Sequence, residues 1–177
     1  MRKVGGTARI ALPAMAALLL AACADDDPLA AANEPTGCPQ VQIVGDASEV
    51  TQFSGEGRDL TDVAARGVIL GFDGGCEYND DGVTVDLLLD IAAARGPAGT
   101  GDVARFDYFV AITDPAGDFL AKEIFTTEIA LQGPAARGGV REELEQRIPL
   151  DTPAAGDEYN VLVGFQLTPD QLDYNRR

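Results

Sequence analysis

The stretch Val83-Thr84-Val85-Asp86-Leu87-Leu88-Leu89-Asp90-Ile91-Ala92 decides how this chain folds. Val83, Val85, Leu87, Leu89 and Ile91 alternate with Thr84, Asp86, Leu88, Asp90 and Ala92. A period of two places the first set on one face of a β-strand and the second on the other, so one face needs a core. The same pattern recurs in Phe106, Tyr108, Val110 and Ile112, and again in Tyr159, Val161, Val163, Phe165 and Leu167. Further strand candidates are residues 41–44, 49–53, 67–72, 119–131 and 143–150.

Turn residues separate these runs. Asn79-Asp80-Asp81-Gly82 lies between two candidates, as in a hairpin. Asp114-Pro115-Ala116-Gly117-Asp118 supplies the Pro and Gly that a chain reversal uses. The 20 glycines and 10 prolines cluster between apolar runs, which suits short strands better than long helices. Seven or eight strands at this spacing predict an all-β, antiparallel two-sheet sandwich with immunoglobulin-like topology as the leading arrangement and a small β-barrel as the alternative. The chain has no tryptophan and lacks the inter-sheet cysteine spacing of antibody domains, so that likeness is one of architecture. Thr168-Pro169-Asp170-Gln171-Leu172 carries an N-cap hydroxyl, Pro at the first helical position and Gln three residues after the cap. It predicts a short C-terminal helix.

The amino terminus has another organisation. Arg2, Lys3 and Arg9 form a positive segment, Ile10–Leu20 an apolar core, and Leu20-Ala21-Ala22-Cys23 closes it. About eleven apolar residues broken by Pro13 fall short of the roughly 20 that a membrane-spanning helix needs. Leu20-Ala21-Ala22-Cys23 resembles the lipobox of bacterial lipoproteins, an aliphatic residue, two small ones and an obligatory cysteine. The resemblance covers only the signal segment. It implies that the Cys23 thiol takes a diacylglyceryl group, that cleavage follows Ala22, and that the new amino group is acylated, with palmitate-type chains holding the protein to a membrane. Two or three acyl chains on one residue make a stable anchor. Ala24, where an Asp would favour inner-membrane retention, points to the outer membrane, with the domain on the periplasmic face. The body, 38–177, resembles proteobacterial lipoproteins of no assigned activity.

The expected organisation is thus a signal peptide over 1–22, a lipidated cysteine and flexible acidic linker over 23–37, and a sandwich domain over 38–177. With Cys23 consumed by lipid, Cys38 and Cys76 remain as an even pair, and in an exported protein they are expected to form a disulfide. The closed loop of about 39 residues gives roughly 4 kcal/mol in the chain-entropy model.

Composition narrows the chemistry. Removing residues 1–22 takes three of 13 basic residues and none of the 29 acidic ones, leaving a formal charge of −19. Such a surface repels phosphate backbones, so no nucleic-acid partner is expected. There is no histidine, hence no Ser-His-Asp set and no histidine-based zinc site. Ser48 and Ser54 are the seryl candidates after the signal, and Lys122, the sole lysine there, sits beside Glu123. No catalytic residue, cofactor or metal site is therefore assigned. Asp73, Glu77, Asn79, Asp80 and Asp81 form the densest acidic group of the domain; a polar hairpin explains it, and Ca²⁺ is the alternative. Gly55-Glu56-Gly57-Arg58-Asp59-Leu60-Thr61-Asp62 joins two strand candidates. It reads as a loop held by an Arg58–carboxylate pair, and Arg58, Asp59 and Asp62 are the candidate partner-recognition residues. The expected function is a non-enzymatic envelope lipoprotein, a binding or structural module with membrane contact through Cys23 and an envelope protein as partner. The alternative is a carboxylate-based ligand-binding or enzymatic domain.

Overall fold

The structure is a computed structural model that describes residues 37–133 and 136–177. Cys23 and the signal and linker readings lie outside the described residues. Eight strands form: β1 (Gln40–Ile43), β2 (Glu49–Phe53), β3 (Val63–Asn79), β4 (Gly82–Arg95), β5 (Val103–Thr113), β6 (Phe119–Ala130), β7 (Arg137–Pro149) and β8 (Asn160–Phe165). One short helix, α1 (Pro169–Asn175), follows the last strand. Two four-stranded sheets, ordered β1-β8-β5-β6 and β2-β3-β4-β7, pack as the all-β sandwich the alternation demands. Pairing is antiparallel except between β1 and β8. An immunoglobulin domain places its second and third strands in opposite sheets, whereas here β2, β3 and β4 are successive neighbours in one sheet, so the sandwich is as expected and the strand order differs.

The inward face of β4 fills the centre: Val83, Val85, Leu87, Leu89 and Ile91 are at most 2% exposed. Facing them from the other sheet are Phe106, Tyr108, Val110, Val161, Val163 and Phe165. Burying such side chains contributes about 1.5–3 kcal/mol each, which makes this layer the main source of stability. Phe106 meets Phe165 edge-on at 5.7 Å, and Tyr108 stacks on Phe125 at 5.4 Å.

Two strands outrun their sequence signal. β3 continues through Gly74-Gly75-Cys76, where glycines suggest a break. β4 templates this half of β3, pairing Gly74 with Leu87, Gly75 with Asp86 and Cys76 with Val85 after a bulge between Ile69 and Gly71. Gly74 has φ +147°, and a Cβ there would lie 2.0 Å from the Asp86 carbonyl oxygen, so the glycine is what admits the close strand. β7 likewise starts at Arg137 instead of near 143, because β4 offers partners as far as Ala94. The Asn79–Gly82 hairpin forms as expected, with Asn79 Oδ1 accepting from the Asp81 N–H at 2.9 Å. In the Asp114–Asp118 turn, Asp114 Oδ1 accepts from the Ala116 and Asp118 N–H groups.

Cys38 precedes β1 in one sheet and Cys76 lies on β3 in the other, with Cα atoms 5.7 Å apart and the sulfurs at bonding distance. The bridge therefore links the two layers where the domain begins. Beside it, the Tyr78 hydroxyl donates to the Gly37 carbonyl. Burial, and then the charge of Asp157, push the Tyr78 phenol above its ordinary value, so it keeps the donated proton.

On the outer face of the second sheet, Arg141 of β7 donates to both oxygens of Asp90 of β4, its register partner, at 2.8 and 2.7 Å. These hydrogen bonds, more than the Arg141 charge, hold the Asp90 carboxyl below its ordinary value.

Replacing Cys38 and Cys76 together with Ala is expected to cost about 4 kcal/mol and to lower Tm by roughly 10 °C in a thermal melt; an unchanged Tm would mean the bond does not form. Because the folded Asp90 pKa is depressed, its contribution is present above the unfolded value and lost as pH falls through the folded one. Arg141→Gln is expected to return Asp90 to the ordinary carboxylate range in an NMR titration. The stability gap to the parent should close in that acidic window, and a gap independent of pH there would refute the linkage.

Candidate functional site

β3 gives the sandwich a long axis. From Val63 to Cys76 it runs about 40 Å at strand rise. The Cys76 end carries Gly37, the Asn79–Gly82 hairpin and, through β8, Thr113 and the turn after it. The Val63 end carries the loop 54–62, with α1 docked against β2 and the turn Gly45–Ala47 beside it. Asp73, Glu77, Asp80, Asp81, Asp114 and Asp118 fall toward the Cys76 end with Arg147 among them, whereas the other end mixes Arg58, Arg95, Arg137, Arg176 and Arg177 with Asp46, Glu56, Asp59, Asp62, Asp102, Asp170 and Asp173.

An open cleft of about 650 Å³ lies at the Val63 end between the loop, the end of β2 and α1. Arg58 organises it. Its guanidinium donates to the Gly57 carbonyl at 2.8 Å and the Gly55 carbonyl at 3.3 Å, and reaches Asp170 of α1 at 3.3 Å. It also lies 5.2 Å from the centre of the Phe53 ring, which Tyr174 meets edge-on at 5.0 Å. The expected Arg58–carboxylate pair thus exists, with its acid on the C-terminal helix. With side-chain exposures of 39% and 76% the pair contributes about 0–1 kcal/mol, so it positions more than it stabilises.

The other two candidate residues face each other. Asp62 Oδ2 accepts from the Asp59 N–H at 3.0 Å, closing the short 3₁₀ turn Leu60–Asp62. A Cβ on Gly57 would lie 2.1 Å from Asp62 Oδ2, so a side chain there would push that carboxylate aside. Leu60, at the tip of this turn, is 70% exposed, the largest exposure among the bulky apolar side chains of the described residues.

α1 was legible as a helix, and its role in the site was not. Thr168 and Gln171 form the expected capping box, with Pro169 at the helix start. Gln171 Nε2 donates to the Thr51 carbonyl at 3.1 Å, Asn175 Nδ2 to the Glu49 and Asp46 carbonyls at 2.8 and 2.9 Å, and Arg176 pairs with Asp46 at 2.7 Å. The only signal in the sequence is the four-residue spacing of two amides on one helix.

The remaining chemical candidates do not converge. Asp73 and Glu77 stand on β3 while Asn79 and Asp81 close the hairpin, and among the described residues no group of three or more His, Cys, Asp or Glu gathers round one point. Ser48 donates to the Gly45 carbonyl, and Lys122 lies 4.4 Å above the Phe109 ring. Neither is arranged as a nucleophile with its base. Compared with family models, curated proteins and solved structures, the chain gives no match.

Gly57→Ala is expected to displace the Asp62 carboxylate and cost about 1 kcal/mol through the lost turn hydrogen bond. Hydrogen exchange should quicken at the Asp59 amide with β4 unchanged. Parent-like exchange at Asp59 would show that the turn does not depend on this contact.

Proposed function

We propose that the chain is a bacterial envelope lipoprotein, held to the outer membrane by acyl chains on Cys23, whose sandwich is a non-catalytic periplasmic module that binds a protein partner. The observation carrying this reading is the placement of two features at opposite ends of β3. Gly37 and Cys38, where residues 23–36 would join the domain, lie at one end; the Arg58 loop and its cleft lie at the other. Anchoring through residue 23 would turn the acidic Cys76 end toward the lipid. Anionic headgroups would repel that end and hold the domain away from the surface, presenting the loop outward. The Cys38–Cys76 geometry suits an oxidising compartment such as the periplasm, and its link between the sheets resists separation of the layers where the anchor would pull.

Mass spectrometry of the protein extracted from membranes tests the anchor. The expected product begins at Cys23 and is heavier by diacylglyceryl and one further acyl chain, and Cys23→Ser is expected to abolish both lipid and membrane retention. An unmodified Cys23 thiol or an intact leader would overturn the anchor. A Ca²⁺-induced rise in Tm that EDTA reverses would instead favour a carboxylate-based ligand site.

A further inference from the structure

β2 is an edge strand, and an edge presents backbone groups that another strand can pair with. Its backbone alternates: the Ser48 carbonyl accepts from the Ile69 N–H of β3, while the Glu49 and Thr51 carbonyls turn away from β3. These outward carbonyls receive the side-chain amides of Asn175 and Gln171 at 2.8 and 3.1 Å. Residues four apart on a helix rise by about 6 Å, and alternate carbonyls of a strand repeat at about 6.6 Å. α1 therefore sets two amide donors where the N–H groups of a further strand would lie.

We propose that the β2 edge is a strand-acceptor site, closed in cis by α1, that takes an extended segment of a basic partner protein by main-chain pairing. The proposal rests on the binding role above and supplies its mode. α1 is only seven residues long and none of them is fully buried. Its ion pairs, Arg58–Asp170 and Arg176–Asp46, are surface pairs that salt weakens. It brings donors alone to the two carbonyls, whereas a strand brings donors and acceptors in alternation, so an incoming strand completes the pairing that α1 begins. The adjoining cleft, lined by Thr51, Phe53, Arg58, Thr168 and Gln171, has room for alternate side chains of that strand. Charge selects the partner. The chain is formally −16, and −19 without residues 1–22, so a second copy would be repelled and a basic segment attracted.

The test uses a capped peptide of alternating Lys and Val, and an analogue N-methylated at every residue, which keeps the charge and removes the main-chain donors. Titrated into the isotope-labelled full chain, the first peptide is expected to move amide signals of Glu49–Phe53 and Asp170–Asn175, and the analogue to bind about tenfold or more weaker. Gln171→Ala with Asn175→Ala is expected to bind the first peptide about fivefold or more tighter, because the closed state that competes with it is depopulated. Arg176→Gln, which loosens α1 through its ion pair alone, gives the same comparison should the double variant lose its fold. Equal binding of the two peptides, signals moving elsewhere, or no gain in a folded variant would each overturn the proposal. A folded variant that dimerises in sedimentation would assign the edge to a second copy instead. An unlipidated Cys23 would leave these results standing, so the anchor and the acceptor site fail separately.

Discussion

The removal of one face of β4 from water is the constraint on which the molecule depends. Val83, Val85, Leu87, Leu89 and Ile91 project the same way along one strand, and a single sheet cannot shield them. A second sheet must lie over them, and Phe106, Tyr108, Val110, Val161, Val163 and Phe165 supply its inner face. The other face of β4 is then left to water, where Asp90 can pair with Arg141 and help hold the register of β7. β4 also extends its neighbours, since a long regular strand offers hydrogen bonds to any segment laid beside it. That is why glycine-rich β3 continues past Ile69 and β7 begins at Arg137.

A sandwich of two open sheets has four edges, and each is treated differently here. β7 carries Arg141, Glu142, Glu143, Glu145 and Arg147, a charged run that discourages pairing. β1 is four residues long and lies next to the disulfide. β6 exposes Phe119, Leu120 and Ile124, and Lys122 in their midst places a charge on that edge. Among the described residues β2 alone is covered by another element, α1, whose amides satisfy its outward carbonyls. Covering an edge with a short polar helix is a different physical solution from charging it, because a cover can leave.

The site at the Val63 end is held mainly by contacts that cost little to break. Arg58, Asp170, Arg176 and Asp46 are partly exposed pairs, and the loop's own turn rests on one carboxylate and one glycine. The Cys76 end is the reverse, with a bond between the layers and a partly buried tyrosine hydroxyl on the Gly37 carbonyl. Rigidity is concentrated where an anchor would pull, and adaptability where a partner would arrive.

Alternation in Val83–Ala92, Phe106–Ile112 and Tyr159–Leu167 was enough to establish a β-sandwich, because the period of side chains along a strand is a local property of the backbone. The two turns and the helix cap were legible for the same reason: their hydrogen bonds close within four residues. The even cysteine pair was legible by count once Cys23 was set aside, although not that it would link opposite sheets. Nothing local disclosed that Arg58 would meet Asp170, 112 residues away, or that Gln171 and Asn175 would cap the edge of β2. Such contacts depend on which sheet each strand joins and which edge it occupies. Only the packing of the two layers decides that, because hydrophobic burial specifies a face and is silent about neighbours.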